Sequence, residues 1–393
     1  MDCNDVKGPL KSGADQVEAA VSTGGWLRRL ALEQFRNYER AEITFQPGLT
    51  VLLGPNGQGK TNILEAVHYL AFLRSFRTRQ IKELVRFGAD GFQLQAKRDS
   101  GTARHVGDQL AVSFGRERRL FRNRAPMDKA SEFINQFFCV VFVPEDIELI
   151  RGPAADRRRF LDMLTGQLDR AYLRDLQAYN LALKSRNIIL KQFRQFDEGS
   201  IAAYDQLLAR HGAAVIMKRR QTVALLTACS GTDSTCMVNG QLDYEYLPGL
   251  PKDYCLQTSD CQGAYLEMLA QNRARDMRDR VTTWGPHRDD LLVNLNGHAL
   301  AAYGSEGQCR ASALWLRLAA TRLLREQAVE PGTALVLLVD DVLGELDETR
   351  RAAFWDQIQG ATQILFTCTA IPPSLAGKVT QCLHVADGAV VPE

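Results

Sequence analysis

Hydrophobic positions change period several times along the chain. Between residues 26 and 46, and again between 92 and 122, apolar and polar positions alternate in short runs separated by charged turns, the pattern of an antiparallel β layer. Between them, "LTVLL" (49–53) is an unbroken apolar run suited to a buried strand, and "NILEAVHYLAF" (62–72) spaces its apolar residues as a helix does. "FFCVVFV" (137–143) reads as another buried strand, stopped by "PEDIELIRGP". From Ala154 helical periodicity holds for about forty residues without proline, with Phe160, Leu161, Leu164, Leu168, Tyr172 and Leu176 along one side. A second helical run (201–229) follows "DEGS". The pair predicts two long antiparallel helices with basic outer faces, an arm inserted into an α/β body. Residues 230–262 are rich in Gly, Ser, Thr and Asp around one strand-like run, "LDYEYL". A helix is expected over 264–280, and "VTTWGPHRDDLLVNLNG" (281–297) returns to β character. "ALVLLV" (334–339) is the last strongly apolar strand before the C-terminal "QILF" (363–366).

The turn between 49–53 and 62–72 carries chemistry. Gly54-Pro55-Asn56-Gly57-Gln58-Gly59-Lys60-Thr61 stands between a strand and a helix, the context a phosphate-binding loop requires. Glycines let backbone N–H groups face phosphates, Lys60 meets the β and γ phosphates, and Thr61 meets a magnesium ion. Such a loop needs a carboxylate strand, and "ALVLLV" runs into Asp340 and Asp341. Asp340 is placed to bind Mg2+ through water, and Asp341 to orient or deprotonate the attacking water. Some 280 residues separate the two elements, so a large insertion lies between them. "YGSEGQCR" (303–310) sets a Gly-Ser turn before a helix, a second start suited to a phosphate.

Composition narrows the class. The 393 residues suffice for two or three domains, with 45% hydrophobic and 24% charged residues as in ordinary globular proteins. No apolar run approaches a membrane span, and residues 1–25 lack the pattern of a secretion signal, so they read as a disordered extension. Nine scattered cysteines without a C-x-x-C fit reduced thiols and a cytoplasmic protein better than a metal or disulfide framework; Cys229/Cys236 and Cys255/Cys261 are the closest groupings. The net charge is only +2, but residues 74–129 hold 14 Lys/Arg against 6 Asp/Glu, and residues 151–220 hold 14 against 7. Two basic blocks suggest a surface prepared for a polyanion. Within them Arg116, Arg118, Arg119, Arg122 and Arg124 alternate along a strand-like run, so several are expected to share one face and contact DNA. Arg157, Arg158 and Arg159 point in different directions on a helix, and at least one is expected to pair with Asp156 or Asp162. Trp284 and His287 read as packing, and His68 as a core residue.

Several separate stretches stand in the order found in RecF, the bacterial recombination-mediator family in the SMC-like branch of the ABC ATPases. They are "FRNYERAEITFQPGLTVLLGPNGQGKTNILEAVHYL", "VVFVPEDIELIRGPAADRRRFLDMLTGQLDRAYLRDLQAYNLALKSRN", "WGPHRDDL", "YGSEGQCR" and "LLVDDVLGELDETRR". The resemblance covers about residues 26–370. It implies a two-lobed P-loop ATPase head with an antiparallel β layer and an inserted helical arm. It further implies ATP and Mg2+ as cofactors, ATP-dependent homodimerisation, and slow, DNA-stimulated hydrolysis. Binding at single-strand/double-strand junctions and gaps, cooperation with RecR and RecO, and RecA loading at gaps and stalled forks belong to the same expectation. By position, Gly54, Pro55, Asn56, Gly57, Gln58, Gly59, Lys60 and Thr61 match the P-loop, Asp340 the metal carboxylate and Asp341 the place of a catalytic glutamate. Ser305, Gly307 and Gln308 look like the signature motif that closes the γ-phosphate of a second copy, and "GELD" (344–347) like the loop facing that copy. Thr367 sits where related ATPases often have a switch histidine. Glu306 departs from the pattern and is expected to turn away and cap its own helix start.

The domain reading is an extension over 1–25, an N-terminal head part with the P-loop over 26–150, the arm over 151–280 and a C-terminal head part over 281–393. Two other functions share these motifs: a transporter's ATPase subunit, and an ATP-switched DNA clamp that does not hydrolyse.

Overall fold

The computed structural model describes residues 25–100, 107–191, 198–231, 235–250, 260–327, 333–375 and 377–392. The expected N-terminal extension lies, except for its last residue, outside the described residues, as does Cys255. Two compact units form, one within Met1–Val141, Ala328–Leu346 and Phe354–Glu393, the other within Phe142–Gln327 and Asp347–Ala353. Residues 281–327 thus group with the helical segment rather than with the P-loop. Strands and the longer helices are numbered here along the whole chain.

The first unit holds two six-stranded sheets. One is antiparallel, in the order β2-β1-β4-β5-β6-β7, from β1 (Trp26–Phe35), β2 (Tyr38–Thr44), β4 (Phe92–Asp99), β5 (Gln109–Phe114), β6 (Arg118–Arg122) and β7 (Ala125–Met127). It is the alternating layer read from the sequence: Leu30, Leu32, Leu94, Ala96, Leu110 and Val112 all turn to the buried side.

The other sheet runs β15-β14-β3-β13-β12-β8, from β3 (Gly48–Leu53), β8 (Phe138–Phe142), β12 (Leu335–Asp340), β13 (Gln363–Cys368), β14 (Gln381–Ala386) and β15 (Ala389–Pro392). β3 lies between β13 and β14 and is parallel to both, and β12 is parallel to β13. Strands buried on both faces read as continuous apolar runs, which is why "LTVLL" and "LVLLV" carry no alternation. Their carboxyl ends point the same way, so the loop after β3 and the aspartates ending β12 share one rim of the sheet. Helix α1 (Lys60–Phe72) follows the loop, its apolar side buried.

The second unit is built on helices α2 (Ala154–Leu168), α3 (Arg170–Lys191), α4 (Glu198–Ser230), α5 (Cys261–Gln271) and α6 (Glu306–Gln327), with a three-stranded sheet β11-β10-β9. β9 (Leu242–Leu247) and β11 (His298–Ala299) flank β10 (Asp290–Leu295), antiparallel to it. The forty-residue helical run is not one helix. Asp169 leaves helical geometry (φ −139°) and its side chain accepts from Ala171 N at 2.8 Å, so it ends α2 and caps α3. Tyr179, Ala182, Leu208, Ala209, Ile216 and Tyr265 form the core where α3, α4 and α5 meet.

Candidate nucleotide site

The loop from Gly54 to Gly59 can form only because its glycines accept conformations that other residues avoid. Gly57 and Gly59 have φ of 81° and 111°, and a side chain at Gly59 would meet Asn37 and Tyr38 at under 3 Å. Asn37 and Tyr38 follow the β1 turn and brace the loop from outside. Asn37 Nδ2 donates to Gln58 O (3.0 Å), Asn62 Nδ2 donates to Asn37 Oδ1 (2.8 Å) and Tyr38 OH donates to Gly59 O (3.1 Å). Asp387 N donates to Gln58 Oε1 at 2.7 Å. Asn56 and Gly57 stay exposed at the tip. The loop's backbone is therefore fixed before any ligand arrives.

Lys60 is 8% exposed, and its ammonium donates to Gly54 O (2.6 Å) and Pro55 O (2.7 Å). Burial lowers its pKa from the ordinary lysine value, against the opposing pull of Asp340 and Asp341. Beside it, Thr61 Oγ1 donates to Asp340 Oδ1 at 3.0 Å, across 279 residues of sequence. β13 lies between β3 and β12, and it contributes Thr367, whose hydroxyl donates to the same Asp340 oxygen at 2.7 Å. Asp341 N donates back to Thr367 Oγ1 at 3.2 Å, and Asp341 sits in the left-handed region (φ 49°) that aspartate tolerates. Thr367 thus orients the Asp340 carboxylate and anchors the next residue. Sequence position alone marked it only as a replacement for a switch histidine.

A further side chain that the sequence left unremarked is Glu65. It is fully buried on α1 and accepts Arg36 Nε (2.8 Å) and Nη2 (2.7 Å) and the Ser75 hydroxyl, with Arg77 at 3.6 Å. Arg77 also donates to Asn62 (2.9 Å). The signal was available: a lone acid within "NILEAVHYLAF". His68, expected in the core, is buried between Phe72 and Phe76.

The second unit carries the turn at Ser305–Gln308. Ser305 N donates to Gln308 Oε1 (2.9 Å) and Gln308 N donates to Ser305 Oγ (3.2 Å), a reciprocal capping box at the start of α6. The cap is therefore Gln308's and not Glu306's, a correction to the sequence reading. Glu306, 63% exposed at its side chain, is one helical turn from Arg310 and pairs with it at 2.7 Å, which holds its carboxyl below the usual range. Gly307 is exposed, with nothing within 4 Å of where a side chain would begin.

The arginines chosen for DNA divide. Arg118 and Arg122 do share a face, that of buried Leu120, because strand neighbours two apart point together. Both are also tied within the chain: Arg118, exposed, donates to Leu73 O (3.2 Å), and Arg122, 42% exposed at its side chain, donates to Asp108 (2.7 Å). Arg116, Arg119 and Arg124 are exposed, Arg116 before β6 and Arg124 in the left-handed turn after it. Arg157 forms a two-pronged pair with Asp290 (2.7 and 2.9 Å), Arg158 donates to Asp289 O (2.8 Å), and Asp162 is taken by Arg219 (2.7 Å). Spacing rules see only one helical turn and miss pairs 130 residues apart.

His287 is a packing residue, as expected, and makes a testable one. Tyr179 OH lies 2.7 Å from Nδ1 and Thr282 O lies 3.0 Å from Nε2, so the tyrosine donates and the ring donates in turn. Burial pushes the ring's pKa down to about 4. The unfolded chain takes up this proton near pH 6.5, so below that pH the unfolded state binds more protons and stability falls until about pH 4. The group should remove about 2–3 kcal/mol over that window. Denaturant unfolding at pH 7, 5.5 and 4.5 tests this: His287→Asn should flatten the loss. Equal slopes in both proteins clear His287 of the effect.

The family model described as RecF/RecN/SMC N terminal domain matches residues 26–120. The DNA replication and repair protein RecF of Streptococcus thermophilus is 35% identical over 361 residues, covering 89% of this chain and 95% of that protein. RecF of Bacillus subtilis is 34% identical, covering 88% and 94%. The structure of the recombination mediator protein RecF with ATP, in the RecFOR pathway, superposes with a TM-score of 0.85 at 28% identity, over 94% of this chain and 98% of that one. An Smc head domain from Pyrococcus furiosus shares the fold alone, at a TM-score of 0.52 and 14% identity. The fold is that of ABC/SMC-like ATPase heads. Among the described residues no helix is long and apolar enough to cross a membrane.

Proposed function

The chain belongs to the RecF family of DNA replication and repair proteins, and from that premise we propose a DNA-binding ATPase whose nucleotide cycle governs pairing of two copies. The observation that carries the reading is the meeting of Thr61 and Asp340 beside Lys60, on a glycine loop braced at the start of α1. The loop amides and Lys60 take the triphosphate of ATP, with phosphate oxygens replacing the carbonyls that hold the ammonium. These residues fit Mg2+: the Thr61 hydroxyl would ligate it and Asp340 would hold it through water. When bound, the ion supplies neutralisation of phosphate charge. Asp341, exposed at the rim, orients the attacking water, and Thr367 keeps Asp340 and Asp341 in register. The reaction is slow ATP hydrolysis, stimulated by DNA.

Ser305, Gly307 and the first amides of α6 close the γ-phosphate held by a second copy. A glycine with open space above it fits a surface that another molecule approaches closely. Arg116 and Arg124 contribute to the DNA surface, with Arg118 and Arg122 as its internally braced base. In the RecFOR pathway, RecR and RecO are the partners this reading supports, with repair of gapped DNA and stalled forks and RecA loading as the outcome.

Light scattering on the eluting protein tests the central step. ATP and Mg2+ should double the mass of the wild type. Gly307→Trp, whose Cβ would start in open space on the exposed turn, should still bind ATP and remain a monomer. A wild type that binds ATP without changing mass removes the pairing from the proposal.

A further inference from the structure

Phe87 is 100% exposed, the most exposed large apolar side chain among the described residues. Burying a phenylalanine is worth about 2 kcal/mol or more, so a chain free to move would fold it inward. This one is held out. Ala89 N donates to Arg86 O (3.0 Å), closing a four-residue turn with Gly88 at φ 85° in its third position and Phe87 in its second. The base of the turn is clamped to the β1–β2 hairpin. Arg86 N donates to Gln34 O and Arg36 N to Leu84 O, both at 2.8 Å, and the Arg36 guanidinium donates to Glu83 O at 2.8 Å. Arg36 is itself locked to buried Glu65. The aromatic ring therefore sits on a rigid support, tied through Glu65 to the helix that begins at Lys60.

The surroundings indicate what the ring meets. Residues 74–90 carry Arg74, Arg77, Arg79, Lys82 and Arg86 against Glu83 and Asp90. Arg74, Arg77, Arg79 and Lys82 are exposed, and Arg86 reaches Glu39 at 3.3 Å. A protein partner would be anchored by an apolar patch around the ring. Here the segment 74–90 exposes no second large apolar side chain. A lone exposed ring among cations is the arrangement that stacks on a nucleobase while the cations follow the phosphates.

We propose that Phe87 is a stacking finger for an unpaired base, giving this chain its preference for DNA with a single-stranded part. The inference rests on the DNA-binding reading above and adds to it the residue that would meet the unpaired strand. Fluorescence anisotropy with labelled blunt duplex and with the same duplex bearing a single-stranded extension tests it on the wild type, Phe87→Ala and Phe87→Trp. Phe87→Ala should weaken binding to the extended DNA by about tenfold or more and leave the blunt duplex within twofold, while Phe87→Trp should bind as the wild type does. The introduced tryptophan should be quenched by an oligothymidylate beyond any change in the four native ones. A Phe87→Ala protein that matches the wild type on both DNAs, or loses both equally, overturns the finger and leaves DNA binding standing. A wild type with affinity for neither DNA overturns both.

Discussion

Lys60→Ala should lower ATP turnover by a factor on the order of 10²–10³ or more, the range seen when one preorganised charge contact to a reacting group is removed, and should weaken ATP binding. Lys60 is the one lysine of the glycine loop, and its ammonium is already held at the loop by the carbonyls of Gly54 and Pro55. Alanine is compatible with the first turn of α1, so the loop and the protein should remain folded. The comparison is Asp341→Asn. Asparagine also tolerates the left-handed backbone at this position, so ATP should still bind while turnover falls. Isothermal titration and phosphate release on both variants separate the roles. Wild-type affinity in Lys60→Ala would place the triphosphate elsewhere.

Glu65→Ala should cost about 3–5 kcal/mol of stability, the usual consequence of removing one partner from a buried ion pair. Glu65 has no exposed surface and accepts both ends of the Arg36 guanidinium as well as the Ser75 hydroxyl. Its loss strands a partly buried cation between the β1–β2 turn and the segment after α1. Glu65→Gln keeps the volume and one carbonyl acceptor, so it should fall between alanine and the wild type. Urea unfolding followed by circular dichroism measures the order, and a loss below about 1 kcal/mol in Glu65→Ala would show that Arg36 finds another acceptor.

Much of the candidate site was legible because its signals are local. Glycines at 54, 57 and 59 mark a backbone only glycine adopts freely, and Lys60-Thr61 followed by helical spacing completes the pattern within fourteen residues of Leu53. Asp340 was legible as the end of an apolar strand, and Ser305–Gln308 as a helix start. The alternating strands of the antiparallel layer and the unbroken runs of the parallel sheet were legible for the same reason: burial on one face or two writes different periods.

By itself, then, the sequence determined the fold class, the phosphate loop, its carboxylate strand and the family. Tertiary structure alone decided that β13 lies between β3 and β12 and brings Thr367 onto Asp340. It decided that Glu65 gathers Arg36, Ser75 and Arg77, that Arg157 reaches Asp290, and that Arg118 and Arg122 are tied to Leu73 O and Asp108. The physical reason is range. Periodicity, glycine conformation and capping act within a few residues and leave their mark there. A buried charge must find a partner wherever the fold delivers one, and no local pattern records which residue that is.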